Sequence, residues 1–170
     1  MNKNWTLETK RLPAGSVLVV GAGLAGLYLA LKLAPRKVYV LTSRRSSVGS
    51  ASAWAQGGIA AALSPDDSAE SHAKDTIAAG DGLVDPEIAK ILATEGPGRV
   101  RDLDALGVPF DRNAQGELYL SLEAAHSMPR VARVKGDTAG AEIILSLIHI
   151  SEPTRQEAIS YAVFCLKKKK

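Results

Sequence analysis

Val17-Leu18-Val19-Val20-Gly21-Ala22-Gly23-Leu24-Ala25-Gly26 decides the fold class of this chain. Its first four residues are a short continuous apolar run, which reads as a strand buried on both faces of a parallel sheet. From Leu24 to Leu33 apolar residues recur at helical spacing with no breaker before Pro35, and Val38-Tyr39-Val40-Leu41 reads as a second strand. The sum is a βαβ unit, the context that gives a Gly-x-Gly-x-x-Gly turn its meaning. Gly21 allows the tight turn, Gly23 lets backbone approach a pyrophosphate, and Gly26 lets the helix pack on the strand. The helix N-terminus offers unpaired N–H groups and a partial positive charge to phosphates. The bland alternative is a ligand-free βα turn in an unrelated fold. The expectation is therefore an α/β, Rossmann-like domain with a parallel sheet.

A second run follows closely: Ser52-Ala53-Trp54-Ala55-Gln56-Gly57-Gly58-Ile59-Ala60-Ala61-Ala62-Leu63. It is small, glycine-paired and nearly uncharged, as expected of backbone laid along a flat cofactor. The acidic residue that usually meets the ribose hydroxyls is missing after the second strand. There the chain reads Leu41-Thr42-Ser43-Arg44-Arg45, so Thr42, Ser43 or backbone must make that contact. Arg44 and Arg45 read as solvated loop charges.

The bulk numbers exclude several classes. At 170 residues and 46% hydrophobic, the chain has the size and composition of one globular domain. No apolar run is long enough to span a membrane, and no signal-peptide pattern precedes the first strand. One cysteine fits a reducing compartment, and the expected location is cytoplasmic. The net charge of +3 invites a nucleic-acid reading, but Met1 to Ile144 hold 16 basic and 16 acidic residues. The excess lies in the tail, so neither nucleic acid nor membrane is an expected partner. There is no metal-ligand spacing of Cys or His.

The tail itself changes character at Leu145. The helix pattern before it continues for about one turn and breaks near Pro153. A run from Ile159 to Leu166 and four lysines follow. This layout resembles the conceptual translation of a sequencing-library adapter with a poly-A read as lysine. A natural strand with a basic end is the competing reading. The expected organisation is a flexible lead-in over 1–15, the amino-terminal part of a nucleotide-binding domain over 16–144, and a non-native tail over 145–170.

Between these ends, Asp66 or Asp67 is expected to cap a helix through Ala69 to Ala78. Asp85-Pro86 opens a helix to about Ala93, and another runs from Pro97 to Leu106. Leu118-Tyr119-Leu120 is expected as a short strand, and Asp137-Thr138 begins the last helix before the tail.

Residues Val17 to Ile144 resemble the L-aspartate oxidase family, within the succinate dehydrogenase/fumarate reductase flavoprotein superfamily. The resemblance rests on Gly21–Gly26, Ala51–Gly58 with its Ala-Gln-Gly-Gly core, Asp75-Thr76, Leu122-Glu123-Ala124-Ala125-His126-Ser127 and Gly136-Asp137-Thr138-Ala139-Gly140. It implies FAD bound along Gly21, Ala22, Gly23, Leu24, Ala25 and Gly26, near Ser43, and along Ala51, Ser52, Ala53, Trp54, Ala55, Gln56, Gly57 and Gly58. The respiratory relatives carry a flavin-linking His just before Ala-Gln-Gly-Gly. Here Ala51-Ser52-Ala53-Trp54 stands there, which implies noncovalent FAD. Trp54 is expected either near the flavin or as a core aromatic.

In the family, the Glu of the Glu123 motif lies over the substrate, where a carboxylate can pair with the ammonium of L-aspartate. His126 is a second candidate for substrate or flavin contact, with a structural histidine as the alternative. Where the family motif has Gly-Gly after this Glu, the chain has Ala124-Ala125. Arg130 and Arg133 read as surface or loop charges. The implied reaction is oxidation of L-aspartate to iminoaspartate, with reoxidation by O2 or fumarate and product use by quinolinate synthase. The family's groups for the two substrate carboxylates lie on later segments, so no catalytic residue is expected here and the chain alone is expected to be inactive. A fumarate reductase/succinate dehydrogenase-like fragment and a non-functional chimeric reading frame remain as alternatives.

Overall fold

The computed structural model describes residues 12–42, 50–151 and 164–165. Ser43, Arg44 and Arg45, the first eleven residues and most of the expected tail lie outside these. The βαβ unit forms as expected: β1 (Val17–Val20), α1 (Leu24–Lys32) and β2 (Val38–Thr42). The two strands run parallel with Val17 opposite Val38 and Val20 opposite Leu41, and β6 (Phe164–Cys165) pairs parallel with β2. Val19, Ala30, Val38 and Val40 form the core between this sheet and α1. The expectation that β1 is buried on both faces is corrected. Leu18 is 49% and Val20 75% exposed, because α1 covers the face carrying Val19 and nothing among the described residues covers the other.

After a 3₁₀ turn at Ala51–Trp54, a second sheet takes the strand order β3-β5-β4. Its strands are β3 (Ile59–Ala60), β4 (Leu120–Ser121) and β5 (Val131–Ala132), all antiparallel. The expected strand at Leu118–Leu120 is displaced toward the carboxyl end, and Leu118 instead bridges to Arg112 alone.

Helix α2 (Ala69–Ala79) is capped by Ser68, whose Oγ accepts from the Ser71 N–H at 3.0 Å. The expected caps, Asp66 and Asp67, stand one or two residues too early, and Asp67 is committed elsewhere. Helix α3 (Pro86–Ala105) starts as expected, with Asp85 Oδ1 accepting from the Glu87 and Ile88 N–H groups at 2.9 and 3.2 Å. It then runs unbroken for 20 residues through Pro97, where two helices were expected. Proline costs an interior helix about 3 kcal/mol. Burial of Ala93, Val100 and Leu103 on either side of Pro97 offsets that cost.

Helix α4 (Ala139–Ser151) continues beyond Ile144, and Leu147 on its added turns is fully buried. The main core joins Leu27 of α1, Val100 and Leu103 of α3, Ala132 of β5, and Ile143, Ile144 and Leu147 of α4, with Phe110 beneath them. Tyr28 Oη donates to Asp102, which also meets Lys32 Nζ and Arg99 Nη1, each at 3.1 Å, so α1 and α3 are tied at their surface too.

Candidate functional site

The βα turn has the geometry its glycines promise. Gly21 sits at φ +109°, and a Cβ on Gly26 would overlap the Gly21 carbonyl, so these two positions admit only glycine. A Cβ on Gly23 would stand 3.1 Å from Ser52 Oγ. A helix leaves its first N–H groups without intrahelical partners, and α1 has no acidic residue in its first turn to compete with a phosphate. The Leu24 N–H donates to Ser52 Oγ at 3.1 Å. That bond places the 3₁₀ turn of Ala51, Ser52, Ala53 and Trp54 directly against the glycine turn that opens α1.

The same segment is braced from two other sides. Ser50 Oγ accepts the Ala53 N–H at 3.2 Å, and the Gly140 N–H of α4 donates to the Ala55 carbonyl at 2.9 Å. The approach of α4 is so close that a Cβ on Gly140 would overlap the Ser52 carbonyl and stand 2.7 Å from that of Ala55. Ala55, Gln56 and Gly57 are exposed as an open strip. Gly58 then turns the chain into β3 at φ +118°, where a Cβ would lie 2.5 Å from the Ala132 carbonyl. Trp54 is 75% exposed, which corrects its reading as a core aromatic.

The second sheet brings the distant candidate Glu123 to this strip. With β5 between them, β3 carries the strip on one edge and β4 leads into Glu123 on the other. Glu123 Oε2 lies 3.9 Å from the point where a Gly57 Cβ would be, so the carboxylate reaches the strip at ordinary contact distance. Ser121 Oγ donates to Glu123 Oε1 at 3.2 Å, and Arg133 Nε stands 3.6 Å from the same oxygen. Arg133 Nε is buried without a hydrogen-bond partner, and Arg133 Nη2 holds Asp137 at 2.8 Å. The unbonded Arg133 Nε beside Glu123 and an α1 N-terminus without an acidic competitor suit a polar dinucleotide and a charged substrate. Arg133, read from sequence as a loop charge, thus stands beside Glu123 with its Nε buried.

His126 packs edge-to-face against His72 of α2, ring centres 5.7 Å apart, and both Nδ1 atoms are buried without partners. Between Glu123 and His126 the chain turns through Ala125 at φ +67°. A left-handed alanine costs about 1–2 kcal/mol, partly offset in a glycine variant by the entropy of its unfolded chain. Ala125→Gly is expected to raise stability by about 0.5–1 kcal/mol without altering the turn, read as a shift of the urea midpoint. A loss of stability would contradict the strained reading.

The largest departure from the sequence reading is Arg130, expected at the surface and found fully buried. Its Nε and Nη2 fork onto Asp67 at 2.9 and 2.8 Å, Nη1 meets Asp75 at 2.7 Å, and Nη2 meets Ser71 at 3.1 Å. Asp67 and Asp75 are 63 and 55 positions away in sequence, so no local pattern announces the cluster. Donation by the Ser127 N–H and Oγ, then by Arg130, holds the Asp75 carboxyl well below its ordinary value, down to about 2. Burial, with the charge of Arg130 and the neighbouring His126, pushes His72 down, against the opposite pull of Asp67 and Asp75.

Both shifts act in one direction with pH. A depressed folded-state pKa contributes stability that is present above the unfolded value and lost as pH falls through the folded one. His72 therefore withdraws support below its ordinary 6.5, and Asp75 from 3.8 down through about 2. The thermal midpoint is expected to fall continuously on acidification. A midpoint that stays constant from about pH 7 to about pH 3 would contradict this.

Comparison with known proteins agrees with the geometry. The chain is 57% identical over 134 residues to the L-aspartate oxidase of Caulobacter vibrioides, covering 77% of this chain and 26% of that protein. The Nostoc L-aspartate oxidase is 50% identical over 131 residues, covering 77% and 22%. Among solved structures, Escherichia coli quinol fumarate reductase superimposes with TM-score 0.72 at 25% identity, covering 79% of this chain and 23% of that one. The Mycobacterium smegmatis Sdh1 complex gives 0.69 at 37%, covering 78% and 23%. The chain thus spans about a quarter of the length of the curated relatives it matches. The FAD binding domain family matches residues 16–158, from the first strand through the phosphate turn, the glycine strip and the Glu123 loop, and the chain belongs to that family.

Proposed function

We propose that this chain is the amino-terminal, FAD-binding part of an L-aspartate oxidase, which converts L-aspartate to iminoaspartate. One observation carries the substrate: the Glu123 carboxylate faces the open strip at Gly57, with 3.9 Å to the position of a Gly57 Cβ. A carboxylate there pairs with the ammonium of an amino acid and has no partner in a plain dicarboxylate such as succinate. The similarity to L-aspartate oxidases supports the same choice.

The chemistry FAD supplies when bound is acceptance of a hydride from the substrate Cα and its passage to O2 or fumarate. This chain's residues bind and orient. Backbone N–H groups of Gly21–Gly26 would hold the FAD phosphates, and the strip Ala55–Gly58, joined to that turn through Ser52, would line the flavin. Thr42, Ser43 or the backbone there serves the ribose. Ala51-Ser52-Ala53-Trp54 offers no His for a covalent link, so the flavin is held noncovalently. Glu123 orients the ammonium and His126 closes the substrate side of the turn. Groups that would neutralise the two substrate carboxylates are absent from this set, so the chain alone is inactive. The protein works in the cytoplasm, and its product passes to quinolinate synthase.

The test compares this chain with a version extended by its genomic continuation after Ile144. Flavin absorbance and aspartate-dependent peroxide formation are measured in both. The extended enzyme is expected to bind FAD and form peroxide, and the short chain to form none. Peroxide from the short chain would overturn the fragment reading. An extended enzyme that holds FAD and ignores aspartate would overturn the oxidase reading.

A further inference from the structure

Ser121 Oγ and Arg133 Nε meet the Glu123 carboxylate itself, but the turn that carries it has few backbone bonds. β4 is only two residues long, and one backbone bond, from the His126 N–H to the Glu123 carbonyl at 3.2 Å, closes the turn. The anchor lies just beyond, at Ser127. Its N–H and its Oγ both donate to Asp75 Oδ2 at 2.7 Å, and Arg130 Nη1 donates to the same oxygen at 2.7 Å. Asp75 is on α2, the helix whose His72 ring also abuts His126. One carboxylate oxygen thus ties the turn to a rigid helix and to the buried guanidinium, which Asp67 holds from the other side.

We propose that Asp75 is a positioning residue for substrate recognition, fixing the turn that aims Glu123 at the glycine strip. The inference rests on the reading of Glu123 as the ammonium partner. Asp75 touches neither substrate nor cofactor and acts through Ser127. An interaction made equally in the ground state and the transition state appears in KM, not in kcat. Loss of the anchor therefore reads as weaker aspartate binding at near-normal turnover.

The experiment uses the extended, FAD-loaded enzyme and L-aspartate. Asp75→Asn is expected to raise KM roughly tenfold with kcat within about twofold and flavin content unchanged. Ser127→Ala, which removes one of the two donors, is expected to raise KM roughly threefold, and Ser127→Thr, which keeps both, to restore it. The decisive arm is the cycle with Glu123→Gln. If Asp75 acts through Glu123, adding Asp75→Asn to Glu123→Gln raises KM no further. Multiplicative effects of the two would overturn the proposal, since a merely structural residue acts whether or not Glu123 is present. Should Asp75→Asn fail to hold flavin, the Ser127→Ala and Ser127→Thr pair in the same cycle decides. A Glu123→Gln enzyme with unchanged KM would overturn the reading of Glu123, and this proposal with it. A raised KM there, with no effect of Asp75→Asn or Ser127→Ala, would overturn the positioning role alone.

Discussion

Arg130→Met is expected to destabilise the protein by about 3–5 kcal/mol, the cost of removing one partner from a buried ion pair. The side chain of Asp67 is completely buried against this guanidinium, and that of Asp75 is 16% exposed. Methionine fills most of the space but leaves two carboxylates without their cation. Asp67 then must take up a proton or drag water inward, and Asp75 keeps its two Ser127 donors but loses the guanidinium that braces it. Arg130→Lys keeps the charge but lacks the planar fork that meets Asp67 through two nitrogens, so an intermediate loss is expected. Urea unfolding measures both. A loss below about 1 kcal/mol for Arg130→Met would mean that the cluster is no more than an exposed salt bridge.

Gly140→Ala is expected to cost roughly 2–3 kcal/mol and to weaken FAD binding by the same displacement. The added methyl would run into the Ser52 and Ala55 carbonyls, which are backbone and cannot swing aside. The start of α4 would have to back away from the 3₁₀ turn, breaking the Gly140 N–H bond to Ala55. Ser52 would move with it, and its Oγ is what joins that turn to the Leu24 N–H. Unfolding and FAD titration in the extended enzyme should therefore both suffer. Normal FAD affinity in a destabilised variant would show that α4 supports the fold without positioning the strip.

The parts that were legible in sequence have short-range causes. The βαβ unit follows from an apolar run, a helical period and glycines at fixed spacing, and each acts within a few residues. The Asp85-Pro86 helix start is equally local. Several cap-competent residues, Asp66, Asp67 and Ser68, stand in a row before α2, and only the fold selects Ser68. The division of α3 at Pro97 failed because tertiary burial outweighed a local penalty. Glu123 and the Ala-Gln-Gly-Gly strip were each named from their motifs. That they face each other depends on a three-stranded sheet whose two-residue strands carry no readable period.

The class of domain and its glycine turns are legible in the residues alone: Gly21 takes a left-handed φ, Gly26 and Gly58 leave no room for a Cβ, and that requirement is written one residue at a time. The burial of Arg130, its pairing with two carboxylates and the anchoring of the Glu123 turn to α2 arise only in the folded chain. A charged residue looks the same in sequence whether water or two distant aspartates solvate it. The free energy that separates those cases comes from desolvation and pairing, and both exist only once the chain has closed on itself.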